Sequence, residues 1–308
     1  MKHMQGVDST PEAPEAPEAT TEKRYWLFDH PIAAMAVMVL LFIFLTNGVV
    51  FGLHMAGFDF EGDTKQIVDS VVMTVSAVLT ALIFQLRFRK DFDGMFGWST
   101  IGLLLVLPAI GFVVHNLFDA EKMVFGFMDP ESKVNFAPLC LLLGMAPGVS
   151  EEIVFRGIPC SNWMRVAKDE GAVMKCALFT ALVFGLVHGL NALSGAPIFA
   201  TIFQVTYAFA IGLFFAAVFL RTGSMWPTMI AHTLIDFAAF LFMDIDAGGI
   251  ITEELKINLD FYITVGLAVF VLLWGLFLLR RSKREQILQL WDRKWHKSKY
   301  INQGGYTY

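Results

Sequence analysis

IFATIFQVTYAFAIGLFFAAVFL, residues 198–220, holds 23 consecutive positions without a charged side chain. At about 1.5 Å per residue, such a helix is about 34 Å long, enough to cross a hydrocarbon core of about 30 Å. Seven further stretches read the same way: 31–54, 67–86, 99–118, 137–157, 172–193, 226–243 and 260–280. The stretches at 137–157 and 226–243 carry the weakest signal, because they hold charge or are short. Composition agrees with a membrane class. Apolar residues make up 56% of the 308-residue chain, charged residues 17%, and the mean hydropathy is +0.59. A soluble domain holds about 25% charged residues, and a disordered chain far fewer apolar ones. The net charge of -5 argues against a nucleic-acid binder, since a phosphate backbone demands a basic face. Three cysteines, Cys140, Cys160 and Cys176, lack zinc or redox spacing and read as reduced packing residues. The expected fold is all-α, a polytopic integral membrane protein of about eight transmembrane helices.

Three regions follow. Residues 1–24, which contain the run PEAPEAPEA from Pro11 to Ala19, read as a disordered Pro/Glu/Ala-rich tail without the apolar centre of a signal peptide. Residues 25–281 form the transmembrane helical domain, with the chemistry expected at 137–243. Residues 282–308 form a basic, amphipathic, cytoplasmic tail. In it Ile287, Leu288, Leu290, Trp291 and Trp295 alternate with Arg and Lys, the pattern of a helix lying in the lipid interface. With eight spans and both termini in the cytoplasm, 19 of the 23 Lys and Arg residues fall inside and 4 outside (Lys65, Lys122, Lys133 and Lys256).

Ionisable residues within spans are expensive and mark function. Three clusters stand out. The first is Ser150-Glu151-Glu152 with Arg156, the second Phe184 with His188, and the third His232 with Asp236. Helical spacing of four pairs Glu152 with Arg156 and His232 with Asp236, and turns Glu151 about 100° away from Glu152. Pro147 and Gly148 are expected to bend the helix before the acids. Counted from the cytoplasmic ends of their spans, Glu151 and His232 lie about 9 Å deep, and His188 about 20 Å deep if its helix enters at Lys175. The depths agree if that helix enters nearer Thr180, with residues 158–175 at the interface, or if the broken fourth helix sits deeper; the polarity of 158–175 favours the first. The expectation is a polar cavity open to the cytoplasm.

A carboxylate beside a histidine, walled from bulk water, can deprotonate a water molecule, and a second histidine can donate to a developing oxyanion. One glutamate and two histidines are also a catalytic zinc set, here Glu151, His188 and His232 from three separate helices, with no HExxH present. Taken singly, each cluster has a structural reading: an ion pair holding a helix, a histidine bridging helices, a pair near a helix start. Three clusters at one depth are harder to explain as packing alone. His54, His115, His30, His296 and His3 read as span-end or tail residues.

The ordered triple Glu-Glu-x-x-x-Arg, Phe-x-x-x-His and His-x-x-x-Asp, each on its own apolar helix, resembles the CPBP intramembrane proteases. That family includes the type II CAAX prenyl endopeptidases and the bacteriocin-immunity, or abortive-infection, proteins. Gly148 before the acids, Phe155-Arg156-Gly157 after them and Trp226-Pro227 before His232 fit the same pattern. The resemblance implies an intramembrane endopeptidase of the cell membrane acting on membrane-anchored, prenylated CAAX-type or other, peptide substrates. It implies that Glu151 with His188 activates water and His232 stabilises the oxyanion, while Glu152 and Arg156 hold the site in shape. The third motif ends in Asp236 rather than the Asn of eukaryotic members, which assigns that residue to orienting His232. A divalent metal such as zinc and a metal-free glutamate mechanism both remain open. The alternatives are a proton-coupled transporter using Glu151, His188 and Asp236 as a relay, for which no internal repeat is found, and a catalytically silent scaffold or immunity protein.

Overall fold

The computed structural model describes residues 26–117, 135–242 and 254–296. The proposed tail at 1–24 and the last residues from 297 lie outside the described residues. Among those that are described there is no strand. The long helices are α1 (Pro31–Met55) and α2 (Gly62–Arg87), followed by two short ones, α3 (Thr100–Leu105) and α4 (Ile110–Leu117). Next come α5 (Ala137–Glu152), a π-helical turn (Ile153–Gly157) and α6 (Ile158–Val166), which run on as one helix. The remainder is α7 (Glu170–His188), α8 (Ile198–Thr222), α9 (Trp226–Phe240), α10 (Leu259–Leu278) and α11 (Arg281–Lys294).

Local chemistry sets the ends. Pro31 opens α1 where a missing N–H costs nothing. Side-chain oxygens of Ser99, Asp169 and Asn258 accept first-turn N–H groups of α3, α7 and α10. Gly223, at φ 63, stops α8 in the left-handed conformation that a Cβ disfavours.

Six helices are long and apolar enough to span a membrane: 31–55, 62–87, 137–166, 170–194, 198–222 and 259–278. Two of the eight expected spans are shorter. The 99–118 stretch is interrupted by a 3-10 turn at Leu107–Ala109, because Pro108 lacks the N–H that would continue the helix. Helix α9 has 15 residues, about 22 Å of rise. It starts inside the bundle, with Met225 beside Gly157 and its N–H donated to the Met95 carbonyl.

The helix break also differs from expectation. Helix α5 runs through Pro147 and Gly148, and the irregularity comes after the acids, where the Ile158 N–H reaches back five residues to the Ile153 carbonyl. Pro159 follows at once and cannot donate, so the wide turn absorbs the mismatch ahead of it. Residues 158–166 continue as a buried helix, with Ser161 and Met164 fully enclosed, rather than lying at an interface.

One end of the bundle is closed by packed side chains. The closed end gathers the starts of α1, α7 and α9 and the ends of α2, α6, α8 and α10. Helix α11 forms as expected, but its aromatic residues enter the protein instead of lipid headgroups. Trp295 stacks on Phe92 at 4.2 Å between centroids and donates its indole N–H to the Ser161 carbonyl. Trp291 donates to the Leu220 carbonyl, and the Lys294 carbonyl accepts from the Asp93 N–H. Arg165 pairs with Asp29 at 2.7 Å on the same face. Arg281 and Arg293 of α11 stay exposed, Lys294 lies over Phe92, and the indoles seal the floor of the bundle.

Removing a buried aromatic of this size costs about 3–5 kcal/mol. Trp295→Ala is therefore expected to lower the thermal midpoint of the solubilised protein by several degrees. An unchanged midpoint in detergent and in lipid would contradict the docked position of α11.

Candidate active site

The site begins with glycine. A Cβ on Gly148 would fall 2.6 Å from the Thr233 backbone nitrogen, and one on Gly144 would fall 2.6 Å from that of Phe237. With no side chain at either position, α5 and α9 come together backbone to backbone. That approach faces the α5 acids towards the α9 histidine.

Glu152 and Arg156 form the expected pair, Oε1 to Nη1 at 3.0 Å, with neither side chain exposed. The arginine lies flat against Phe184, its guanidinium carbon 3.6 Å from the ring centroid. Glu152 also accepts from His232, Nδ1 to Oε1 at 3.1 Å, a link between helices that helical spacing alone could not give. The other imidazole nitrogen of His232 faces two more carboxylates, Asp236 at 3.5 Å and Glu151 at 3.8 Å. His188 holds its Nδ1 at 2.8 Å from the Phe184 carbonyl. Since a carbonyl only accepts, Nδ1 carries a proton, which leaves Nε2 as the ring nitrogen available to the cavity. Phe184 and Phe215 flank His232 and limit its rotation.

Glu151, His188, His232 and Asp236 all line one cavity of about 1480 Å³. Glu152 and Arg156 stand behind its wall, as the pairing predicts. The polar lining is richer than the three motifs. The Asn191 amide donates to Gln204 at 2.9 Å, Asn116 donates to the Ile235 carbonyl, and Tyr207 faces the same space. Gln204 and Tyr207 lie three apart in an otherwise apolar span, a signal the sequence carried and the motif reading passed over. His115, read as a span-end residue, also lines the cavity and bonds Thr264.

The cavity walls also include Phe60, Glu61 and Lys65 from the α1–α2 connection and start of α2, and Glu254 and Lys256 ahead of α10. These lie at the end of the bundle opposite Pro31, Arg87, Val166 and α11. The depth of the acids follows from the length of the α5–α6 helix. Glu151 lies 15 residues from Val166, about 22 Å rather than about 9 Å from that end. His188 is 18 residues from Glu170, about 27 Å, so the depth mismatch closes because the acids sit deeper. A floor of aromatic rings separates them from the basic face.

Glu151, His188 and His232 reach one cavity, but among the described residues no three His, Cys, Asp or Glu side chains are placed to hold a metal ion. His232 is engaged at both nitrogens by carboxylates instead. The arrangement supplies a partly exposed carboxylate, an imidazole with Nε2 available to the cavity and a held imidazole donor. All three cysteines are buried and free, as expected.

Breaking the buried pair on one side should cost about 3–5 kcal/mol, because the remaining charge is stranded. Arg156→Ala is expected to lose most folded protein on solubilisation, whereas Glu151→Gln, at a side chain already 20% exposed, keeps the wild-type midpoint. Equal losses in both would contradict the division between support and cavity groups.

Residues 133–238 match the family model described as Type II CAAX prenyl endopeptidase Rce1-like. The matched segment is roughly a third of the chain and contains Glu151, Glu152, Arg156, His188, His232 and Asp236. No curated protein and no solved structure gives a significant match. The segment that supplies Glu151, His188, His232 and Asp236 to the cavity is thus similar to the Rce1-like type II CAAX prenyl endopeptidases.

Proposed function

We propose that this multi-pass membrane protein is an intramembrane endopeptidase that hydrolyses peptide bonds of membrane-associated polypeptides, with side chains alone activating the water. The observation that carries the reading is the meeting of Glu151, His188, His232 and Asp236 in one cavity, braced by the enclosed Glu152–Arg156 pair. A lipid-facing bundle has no packing need for so many ionisable groups at mid-depth.

Glu151 is the general base. It is turned away from Arg156 and faces the cavity. A water held between its carboxylate and the Nε2 lone pair of His188 loses a proton to Glu151 and attacks the scissile carbonyl carbon. The carbonyl oxygen takes up negative charge and receives the Nε2–H of His232, whose other nitrogen is held by Glu152. When the C–N bond breaks, Glu151 returns the proton to the leaving amine. Asp236 keeps the His232 ring at the required angle, the role its carboxylate can fill where a neutral amide would donate instead. Arg156 neutralises Glu152, so the support of His232 does not add a second free carboxylate beside the base.

The test is a survey of membrane-peptide termini in cells carrying wild type or Glu151→Gln at equal abundance. Loss of a general base costs about 10²–10⁴-fold in rate, so new termini are expected with the wild type only. Identical sets of termini, in cells where only the wild type gives a phenotype, would overturn the proposal.

A further inference from the structure

Away from the cavity, cations from three helices gather where α11 meets the ends of α8 and α10. Arg221 lies in the last turn of α8, Arg280 follows α10, and Lys283 and Arg284 stand in the first turn of α11. Arg221 Nη1 and Lys283 Nζ converge on one neutral oxygen, Gln286 Oε1, at 3.5 Å and 3.3 Å. The charge of Arg280 acts on Arg221 across the same gap. Arg280 and Arg284 each donate to a carbonyl at the end of α10, those of Phe277 and Leu279, which leaves the other N–H donors of each guanidinium open. Among the described residues none of these cations meets a carboxylate. The adjacent acid, Glu285, accepts from Gln289 instead. Arg221 Nε is enclosed and makes no hydrogen bond.

We propose that this cluster binds the phosphate of an anionic membrane lipid and so fastens α11 to the ends of α8 and α10. Capping of α10 accounts for Arg280 and Arg284, but it does not account for Arg221 and Lys283 sharing one amide oxygen. Like charges held together without a counter-charge repel, and a phosphate among them removes that repulsion while accepting from several guanidinium and ammonium donors. A glutamate at position 286 would neutralise the cluster from within; the amide that stands there leaves the charge to an outside anion. Both α8 and α10 are long enough to span a membrane, so their ends lie at headgroup depth. A lipid is favoured over free phosphate by the surface beside the cations. Leu273, Leu276 and Phe277 are exposed on α10 directly ahead of Arg280, whose guanidinium carbon lies 4.0 Å from the Phe277 ring centroid. That apolar strip receives acyl chains where the guanidinium receives the headgroup.

The experiment titrates the detergent-solubilised full chain with phosphatidylglycerol, phosphatidylcholine or inorganic phosphate and follows the thermal midpoint. A saturable rise is expected with phosphatidylglycerol, and none with the other two at the same concentration. Gln286→Glu, at an exposed position, sets a carboxylate where the cations converge. It is expected to weaken phosphatidylglycerol binding about fivefold or more while the lipid-free midpoint is kept or raised. Lys283→Gln is expected to weaken it about fivefold as well. Arg293→Gln changes the net charge by the same unit at an exposed residue towards the other end of α11, and is expected to leave the titration unchanged. No saturable rise, an equal affinity in wild type, Gln286→Glu and Lys283→Gln, or an equal loss in Arg293→Gln would overturn the site. A rise with inorganic phosphate equal to that with phosphatidylglycerol would overturn the lipid assignment.

Discussion

The ion pair between Glu152 and Arg156 is the interaction on which the rest of the site depends. A lone carboxylate at this depth would cost several kcal/mol, and a lone guanidinium as much. Together, stacked on Phe184 and joined to His232, each satisfies part of the other's demand. The pair fixes the angle of α5 against α9, because the same Glu152 oxygen that accepts from Arg156 also holds the imidazole 80 residues further on. Two glycines permit the approach, and the π-helical turn after Glu152 sets where Arg156 projects. Structural charge and chemical charge thus sit side by side on consecutive residues, one enclosed and one facing the cavity.

The same economy of burial explains the shape of the bundle. The end that meets α11 is packed with aromatic rings, while among the described residues the cavity is lined with amides, a phenol and carboxylates. Water that reaches Glu151 does so through a polar funnel, and lipid is kept out by the apolar outer faces of α1, α2 and α10, which expose Leu40, Phe44, Leu79, Leu86 and Leu273.

Much of this was legible in the sequence because it rests on short-range periodicity. The long spans follow from apolar runs, the one at 137–157 interrupted by Glu151, Glu152 and Arg156, and the pairs Glu152–Arg156 and His232–Asp236 follow from a spacing of four on a helix. The cavity group Glu151 was separable from Glu152 by the same geometry. What lay outside that reach was tertiary. The Glu152–His232 bond joins residues on different helices, and no spacing encodes it. The position of the helix irregularity was misplaced because Pro147 drew attention, while Pro159 and the packing of Gly157 against Met95 decide the matter. Extension of the α5–α6 helix to Val166 was hidden by the polar residues Ser161, Asn162 and Arg165; the side chains of the last two reach Phe28 and Asp29 on another segment. That hidden extension moved the acids to mid-depth. The indoles of α11 look interfacial in isolation, and only the phenylalanines of the α2–α3 region reveal them as a floor.

The central claim is that a carboxylate at position 151 activates water in a membrane-embedded cavity. The most direct measurement is the initial rate of hydrolysis of a membrane-inserted peptide by the purified protein in liposomes, comparing wild type, Glu151→Gln and Glu151→Asp. A Brønsted base acts by accepting a proton, so the account predicts abolition in the amide and partial activity in the shorter acid. Full activity in Glu151→Gln would contradict it.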